Sequence, residues 1–337
     1  MNKYSSAQIH TAPSLTGSEG TSGLTECQSA LSDRSRTPLL RAGMAGGESC
    51  LSIIKVGGAV VEDPAQLDIL LDGFAKIEGP KVLVHGGGRS ATKMAAQLGI
   101  ESRMVGGRRI TDAAMLDVVT MVYAGLVNKN IVAQLQARGI NALGLTGADL
   151  NLIRAHRRPV TPEGIDFGFV GDVDSADGTT LHQLLALGIT PVIAPLTHDG
   201  AGHLLNTNAD TIAQTVAVAL ADSPPALPVR EGAITFEDGD TLPSKHSAPS
   251  LTGRAGGESA LTFCFELPGV LRDPADPASL MPHLTEPLFR ALVADGTISG
   301  GMIPKLENAF KAIHDGVAQV RITSTGDLLG GTVIMDN

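Results

Sequence analysis

The sequence predicts an α/β protein with a largely parallel sheet covered by helices on both faces. Short apolar runs such as LSIIKV at 51–56 and KVLV at 81–84 are nearly continuous, as strands buried on both faces require. They alternate along the chain with longer segments that carry helix caps and stops. Hydrophobic residues make up 43% of the 337 and charged residues 18%, which supplies a core and excludes a disordered or fibrous chain. In such sheets ligands bind beyond the carboxyl ends of the strands, so the informative residues are expected directly after each strand.

Strands are expected at 51–56, 81–84, 141–145, 191–194, 261–265 and 331–335. Asp63-Pro64 supplies an N-cap and a proline at the first helical position, which predicts a helix over 64–77. Another follows Gly88. Thr111 is expected to cap a long helix over 112–138 that Gly139 ends. Further helices are predicted at 208–221, 286–295 and 304–315, the last started by Pro304.

Residues 1–49 are rich in Ser, Thr, Gly and Ala without either periodicity, and are expected to be a disordered extension. Glu19, Glu26 and Asp33 fit poorly with an organelle-targeting segment. A low-complexity insertion at 222–259 shares APSLTG (12–17, 248–253) and AGGES (45–49, 255–259) with it. The spacing is too long for a solenoid, so these read as duplicated linker-like pieces.

Lys plus Arg is 25 against 35 acids, a net charge of −10, which argues against a nucleic-acid partner. No run of 18 or more apolar residues occurs, so no membrane span is expected. Cys27, Cys50 and Cys264 are few and far apart, indicating neither a disulfide framework nor a zinc cluster. A cytoplasmic enzyme is expected.

The chemistry collects after the strands. Lys55-Val56-Gly57-Gly58 follows the first, and His85-Gly86-Gly87-Gly88-Arg89 follows the second and enters a helix. Glycines there let backbone N–H groups approach a ligand, and a helix N-terminus favours negative charge, so two such turns side by side make an anion cradle. GxxxxGK[ST] is absent, which excludes a P-loop enzyme. Gly86-x-Gly88-x-x-Ala91 satisfies a relaxed dinucleotide fingerprint, but Arg108-Arg109 stand where an acid belongs. An NADP-binding oxidoreductase is the alternative from another class. Asn206, Asn208 and Asp210 crowd the start of one helix, more side-chain amides and carboxylates than capping needs. Lys305 lies in the first turn of another helix, where the dipole favours acids and a lysine points to an anion partner. His85 reads as structural, and His198 and His203 around Asp199 as solvated loop residues; no metal-ligand set is expected.

The ordered set IIKVGG, VLVHGGGR, GGRRIT, NTNAD and GGMIPK, with NALGLTGAD at 141–149 and LPGVL at 267–271, resembles the N-acetylglutamate kinases of the amino-acid kinase family over about 50–221 and 260–337. The resemblance implies a three-layer αβα sandwich with a mainly parallel sheet of about eight strands. It implies an N-terminal lobe (50–221) that binds the acyl amino acid and a C-terminal lobe (260–337) that binds ATP, in a homodimer. The implied reaction is ATP-dependent phosphorylation, with Mg²⁺, of the γ-carboxylate of N-acetyl-L-glutamate, the second step of arginine biosynthesis. Neighbouring readings are an N-succinyl-L-glutamate kinase and a non-catalytic ligand sensor.

The resemblance makes Lys55 and Lys305 the contacts of the phosphoryl group in flight, with Asp210 hydrogen-bonded to both. Gly58, Gly87 and Gly88 would cradle phosphate and carboxylate oxygens, with Gly57 beside them. Arg109 would fork onto a substrate carboxylate; Asn206 and Asn208 would hold the rest of the substrate. Glu266 and Gly269 would border the nucleotide. Phe265-Glu266 stands where many members have a Ser/Thr-Asp pair. The chemistry accounts for this inventory. A carboxylate nucleophile of pKa ~4.3 is already ionised and needs no base. The obstacle is its repulsion from ATP, and two unit charges 4 Å apart interact by ~4 kcal/mol at an effective dielectric of 20, so cations and oriented N–H groups suffice.

Overall fold

A computed structural model of the chain describes residues 50–223 and 259–335. In chain order the first elements are β1 (Leu51–Val56), α1 (Gly58–Glu62), α2 (Pro64–Lys76), β2 (Lys81–His85), α3 (Gly88–Gln97), β3 (Met104–Val105) and β4 (Arg108–Arg109). Then come α4 (Ala113–Val119), a π-helix (Thr120–Val127), α5 (Asn128–Ala137), β5 (Ala142–Leu145), β6 (Ile153–Arg157), β7 (Gly171–Ala176) and α6 (Gly178–Ala186). They are followed by β8 (Thr190–Ile193), β9 (Leu196–His198), β10 (Leu204–Asn206), α7 (Ala209–Asp222) and β11 (Ser259–Phe265). The chain continues through β12 (His283–Thr285), α8 (Glu286–Ala294), α9 (Met302–His314), β13 (Gln319–Ser324) and β14 (Thr332–Met335).

Eight strands form one sheet in the order β12-β14-β13-β11-β1-β2-β8-β5, parallel except where β13 meets β14. β1 and β11 are neighbours, in register from Leu51↔Ser259 to Val56↔Cys264, so a single sheet runs through both expected lobes. Period-two alternation divides its side chains between two cores. Ile53, Val82 and Val84 pack with Leu181, Val216 and Phe310 of α6, α7 and α9. Ile54, Val56 and Leu83 pack on the other face with Leu70, Ala91, Val118 and Ile131 of α2 to α5. The layers are therefore αβα, as the sequence predicts.

The six predicted strands are present with shifts of one or two residues, and the Asp63 carboxylate caps α2 through Ala65 N (3.0 Å) and Gln66 N (3.2 Å). Two caps are corrected. Asp112, not Thr111, caps the long helix, accepting from Met115 N at 2.8 Å, while Thr111 is buried in a bridge to Gly168. Pro304 does not start its helix: α9 begins at Met302 after Gly301. The predicted 112–138 helix is three segments, with π turns in its middle. By length and composition this run, Ala113–Ala137, is apolar enough to cross a membrane, with a mean hydropathy of 1.2. Its inward residues Met115, Val119, Ile131 and Leu135 are spent on the core.

A second sheet, β10-β9-β6-β7, has no counterpart among the predicted strands, because its strands are polar in sequence, such as GDVDSA. The β3-β4 hairpin, the strand β13, and α1 and α6 have none either. Residues 1–49 and 224–258 lie outside the described residues. The predicted insertion is bounded by Asp222, which closes α7, and Ser259, which opens β11.

Candidate active site

Lys55 shares a strand face with Ile53 and so points toward the α7 side of the sheet. It is 5% exposed, and its Nζ lies 2.6 Å from Asp210 Oδ1 in an ion pair without hydrogen-bond alignment. Asp210 stands in the first turn of α7, where the helix dipole favours a carboxylate. Lys305 enters from the first turn of α9. Its ammonium sits 3.8 Å from the centroid of the Phe265 ring, and that of Lys55 sits 5.0 Å from the same centroid. One aromatic ring thus lies against both lysines. Burial and the charge of Lys55 push the Lys305 pKa down, while Asp210 and Glu266 pull it back up. Asp210 forms an ion pair with Lys55 and acts on Lys305 only through its field, so in place of the expected hydrogen bonds to both lysines there is one close ion pair.

The two glycine turns lie against each other. A Cβ on Gly86 would stand 3.0 Å from Gly58 N, and one on Gly58 would stand 3.3 Å from Gly87 N. Backbone faces backbone at this distance, so a side chain on either glycine would require the two turns to move apart by a few tenths of an ångström. Gly57 and Gly87 are the residues from which α1 and α3 start, so both helices open at the cradle.

Two adjoining cavities meet there, sharing Gly88, Met104 and Arg109 as wall. One, of about 210 Å³, is bounded by Gly87, Arg108, Arg109, Tyr123, Asn206 and Asp210. The other, of about 440 Å³, is bounded by Lys55, Gly57, Gly58, Phe265, Glu266 and Lys305. Arg109 is buried and donates to Gly88 O (2.8 Å), Thr92 Oγ1 (2.9 Å) and Ser102 Oγ. Asn206 Nδ2 donates to Thr111 Oγ1 at 2.9 Å. Asn208 Oδ1 accepts from Asp210 N at 2.6 Å and caps α7, which leaves its amide nitrogen for the cavity. Glu266 borders the larger cavity and pairs with Arg89 at 3.6 Å. Gly269 lines neither cavity. Its φ of +158° and the contacts a Cβ would make with Leu280 (2.6 Å) and Thr332 (2.7 Å) explain the glycine by packing.

His85 is fully buried, with Nδ1–H donating to Gly86 O (2.8 Å) and Nε2 accepting from Asn128 Nδ2 (3.0 Å). Burial lowers its pKa to about 4, which keeps it neutral and structural, as expected. His203 Nδ1 pairs with Asp199 at 2.7 Å in an exposed loop. Three residues at the site escaped the sequence reading. Phe265 was noted only as a departure; its place at the carboxyl end of the strand beside Lys55 was the available signal. Arg108 lines the smaller cavity, its pKa lowered by burial and by Arg158. Tyr123 looks like any apolar helix position.

A cleft at the carboxyl edge of a parallel sheet, with two lysines, a carboxylate and a double glycine cradle, defines a phosphoryl-transfer enzyme. Residues 51–222 match the model of the Amino acid kinase family, and the chain belongs to that family. It is a kinase. It is 56% identical over 273 residues to an acetylglutamate kinase of Bacteroides thetaiotaomicron, covering 81% of this chain and 93% of that one. It is 55% identical to an acetylglutamate kinase of Bacteroides fragilis, covering 81% and 91%. Among solved structures, smu.665 from Streptococcus mutans UA159 matches with a TM-score of 0.61 at 25% identity, over 85% of this chain and 98% of that one. The oxidoreductase alternative is not favoured, and Arg109 is engaged by the Gly88 turn rather than held out for a cofactor phosphate.

Proposed function

We propose that the chain transfers the γ-phosphoryl group of ATP to the γ-carboxylate of N-acetyl-L-glutamate, in the cytoplasm, as the second step of arginine biosynthesis. The observation that carries this reading is that a cavity lined by Lys55, Lys305 and the glycine turns adjoins a second one, lined by Arg109, Asn206 and Asp210, across Gly88, Met104 and Arg109. A carboxylate oxygen attacks the γ-phosphorus from the smaller cavity, the bond to the β-phosphate oxygen breaks, and ADP leaves through the larger one. No proton moves, which fits a site whose one nearby histidine is buried and neutral.

Lys55 and Lys305 offset the charge building on the phosphoryl oxygens, more strongly in the transition state than before it. Asp210 fixes Lys55. N–H groups of Gly58, Gly87 and Gly88 bind phosphate and carboxylate oxygens, and Arg109, Asn206 and Asn208 hold the acyl amino acid. The 50–221 lobe takes the acyl amino acid; Glu266 and the 260–337 lobe border the nucleotide. Among the described residues no three His, Cys, Asp or Glu side chains converge as a metal site, so Mg²⁺ would arrive on the nucleotide phosphates and add positive charge there. A homodimer is supported by exposed apolar residues, Met121 and Leu126 on the long helix and Leu143 on the edge strand β5.

The test is a hydroxamate assay with ATP, Mg²⁺ and either N-acetyl- or N-succinyl-L-glutamate, which traps an acyl phosphate. Hydroxamate is expected with the acetyl substrate; product only with the succinyl substrate, or none with either, would refute the assignment.

A further inference from the structure

We infer that Phe265 is a positioning residue for phosphoryl transfer: its ring stands in for a second carboxylate and holds the Lys305 ammonium at the cleft with its charge left free. This rests on the reaction proposed above. The site brings two lysines together, and Asp210 makes its ion pair with Lys55, at 2.6 Å. Lys305 has no ion-pair partner among the described residues; what lies against its ammonium is the Phe265 ring, with the centroid 3.8 Å from Nζ. Lys55 Nζ is 5.0 Å from the same centroid, so both cations are within the ~6 Å over which a ring attracts them. The ring is itself held in place. Phe263 precedes it by two residues on the same strand face, and the two ring planes are parallel to within 2° with centroids 6.2 Å apart. A Cβ on Gly57 would lie 3.9 Å from Phe265 Cδ1, so the ring also abuts the first glycine turn. Phe265 is 8% exposed and lines the larger cavity together with both lysines. A carboxylate in this place would pair with Lys305 and cancel its charge. An aromatic face attracts the cation through its quadrupole and leaves the net charge intact. Lys55 pushes the Lys305 pKa down, as one cation does to another, and the ring acts against that by favouring the charged form. Glu266, the next residue, is turned to Arg89 at 3.6 Å.

The electron density of the ring can be varied at nearly constant shape, which separates this role from packing. Phe265 is replaced in the full chain by 4-fluoro-, 3,5-difluoro- and 3,4,5-trifluorophenylalanine, whose fluorines withdraw electron density from the ring face. Across this series kcat is expected to fall stepwise, by about 3- to 10-fold in all, with KM for N-acetyl-L-glutamate within about twofold and the melting temperature unchanged. Phe265→Leu, which keeps an apolar side chain but removes the ring, is expected to lower kcat by about tenfold. A readout independent of turnover is the NMR shift of the Lys305 Hε protons in lysine-labelled enzyme, assigned by their loss in Lys305→Arg. Under the ring they should resonate upfield, and in Phe265→Leu they should return to the ordinary lysine position. An active enzyme whose kcat is flat across the fluorinated series, or whose Lys305 Hε protons are not shifted upfield, overturns this inference alone. A wild type that phosphorylates no acyl-glutamate overturns it together with the proposed function.

Discussion

Lys55 and Lys305 carry the same charge in different company. Lys55 is paired with Asp210 at 2.6 Å, whereas Lys305 rests on the Phe265 ring and has no ion-pair partner among the described residues. A cation on an aromatic face is held by ~0.5–2 kcal/mol, enough to orient it and too little to cancel its charge. In the proposed reaction Lys305 would therefore have the less compensated positive charge to offer the phosphoryl group. Replacing Lys305 by Ala is expected to lower kcat by about 10²–10³-fold with little change in substrate KM. Arg109→Ala is expected mainly to raise KM for the acyl amino acid, by about tenfold or more, because it removes a charged clamp. Steady-state kinetics of the two variants decide it, and the reverse pattern would mean that clamp and catalyst are exchanged. The charged members of this set were readable from the sequence because lysine and aspartate at strand and helix ends have few structural uses. Phe265 and Tyr123 were not, since an aromatic residue in a buried position is first of all core.

The long helix shows how a local irregularity serves the site. Met115, Val119, Tyr123, Val127, Ile131 and Leu135 are all buried, at a constant spacing of four. On an α-helix each four-residue step overshoots a full turn by about 40°, so this stripe would wind off the sheet. The π turns at Thr120–Val127 are wider and reduce the drift. Just beyond them Asn128 donates to His85 Nε2 (3.0 Å) and Val192 O (2.9 Å), tying helix, glycine turn and sheet together. This bond needs His85 neutral. The unfolded chain takes up a proton near the ordinary pKa of 6.5 and the folded one only near 4, so stability should fall as pH drops through that window. The loss is on the order of 3 kcal/mol for this group. Denaturant unfolding of wild type and His85→Asn between pH 7 and 4 checks it: the variant should show a flatter pH dependence, and identical slopes would refute the assignment.

Across the molecule, α7 and β11 determine where the stretch 224–258 attaches. α7 starts at the cleft with Asn208 and Asp210 and runs 14 residues away from it, ~21 Å. β11 starts at Ser259 and returns over seven residues, ~23 Å, to end in the cleft at Phe265. Both attachment points are thus at the far end of the sheet. Replacing 224–258 by a short Gly/Ser linker is expected to leave kcat within about threefold, since neither end of the replaced segment touches the cradle. Lost activity in a variant that melts like the wild type would show that the segment reaches the site. By itself the sequence determined the fold class, the order of the main strands and that Lys55, Lys305, Arg109 and Asp210 stand at element ends, because buried strands, caps and glycine turns follow from local chemistry. Tertiary structure alone decided that Asp210 meets one lysine, that one ring carries both, that Gly269 belongs to packing, and that polar strands form a second sheet. Those outcomes depend on which surfaces residues distant in the chain present to one another, and no window of sequence contains that distance.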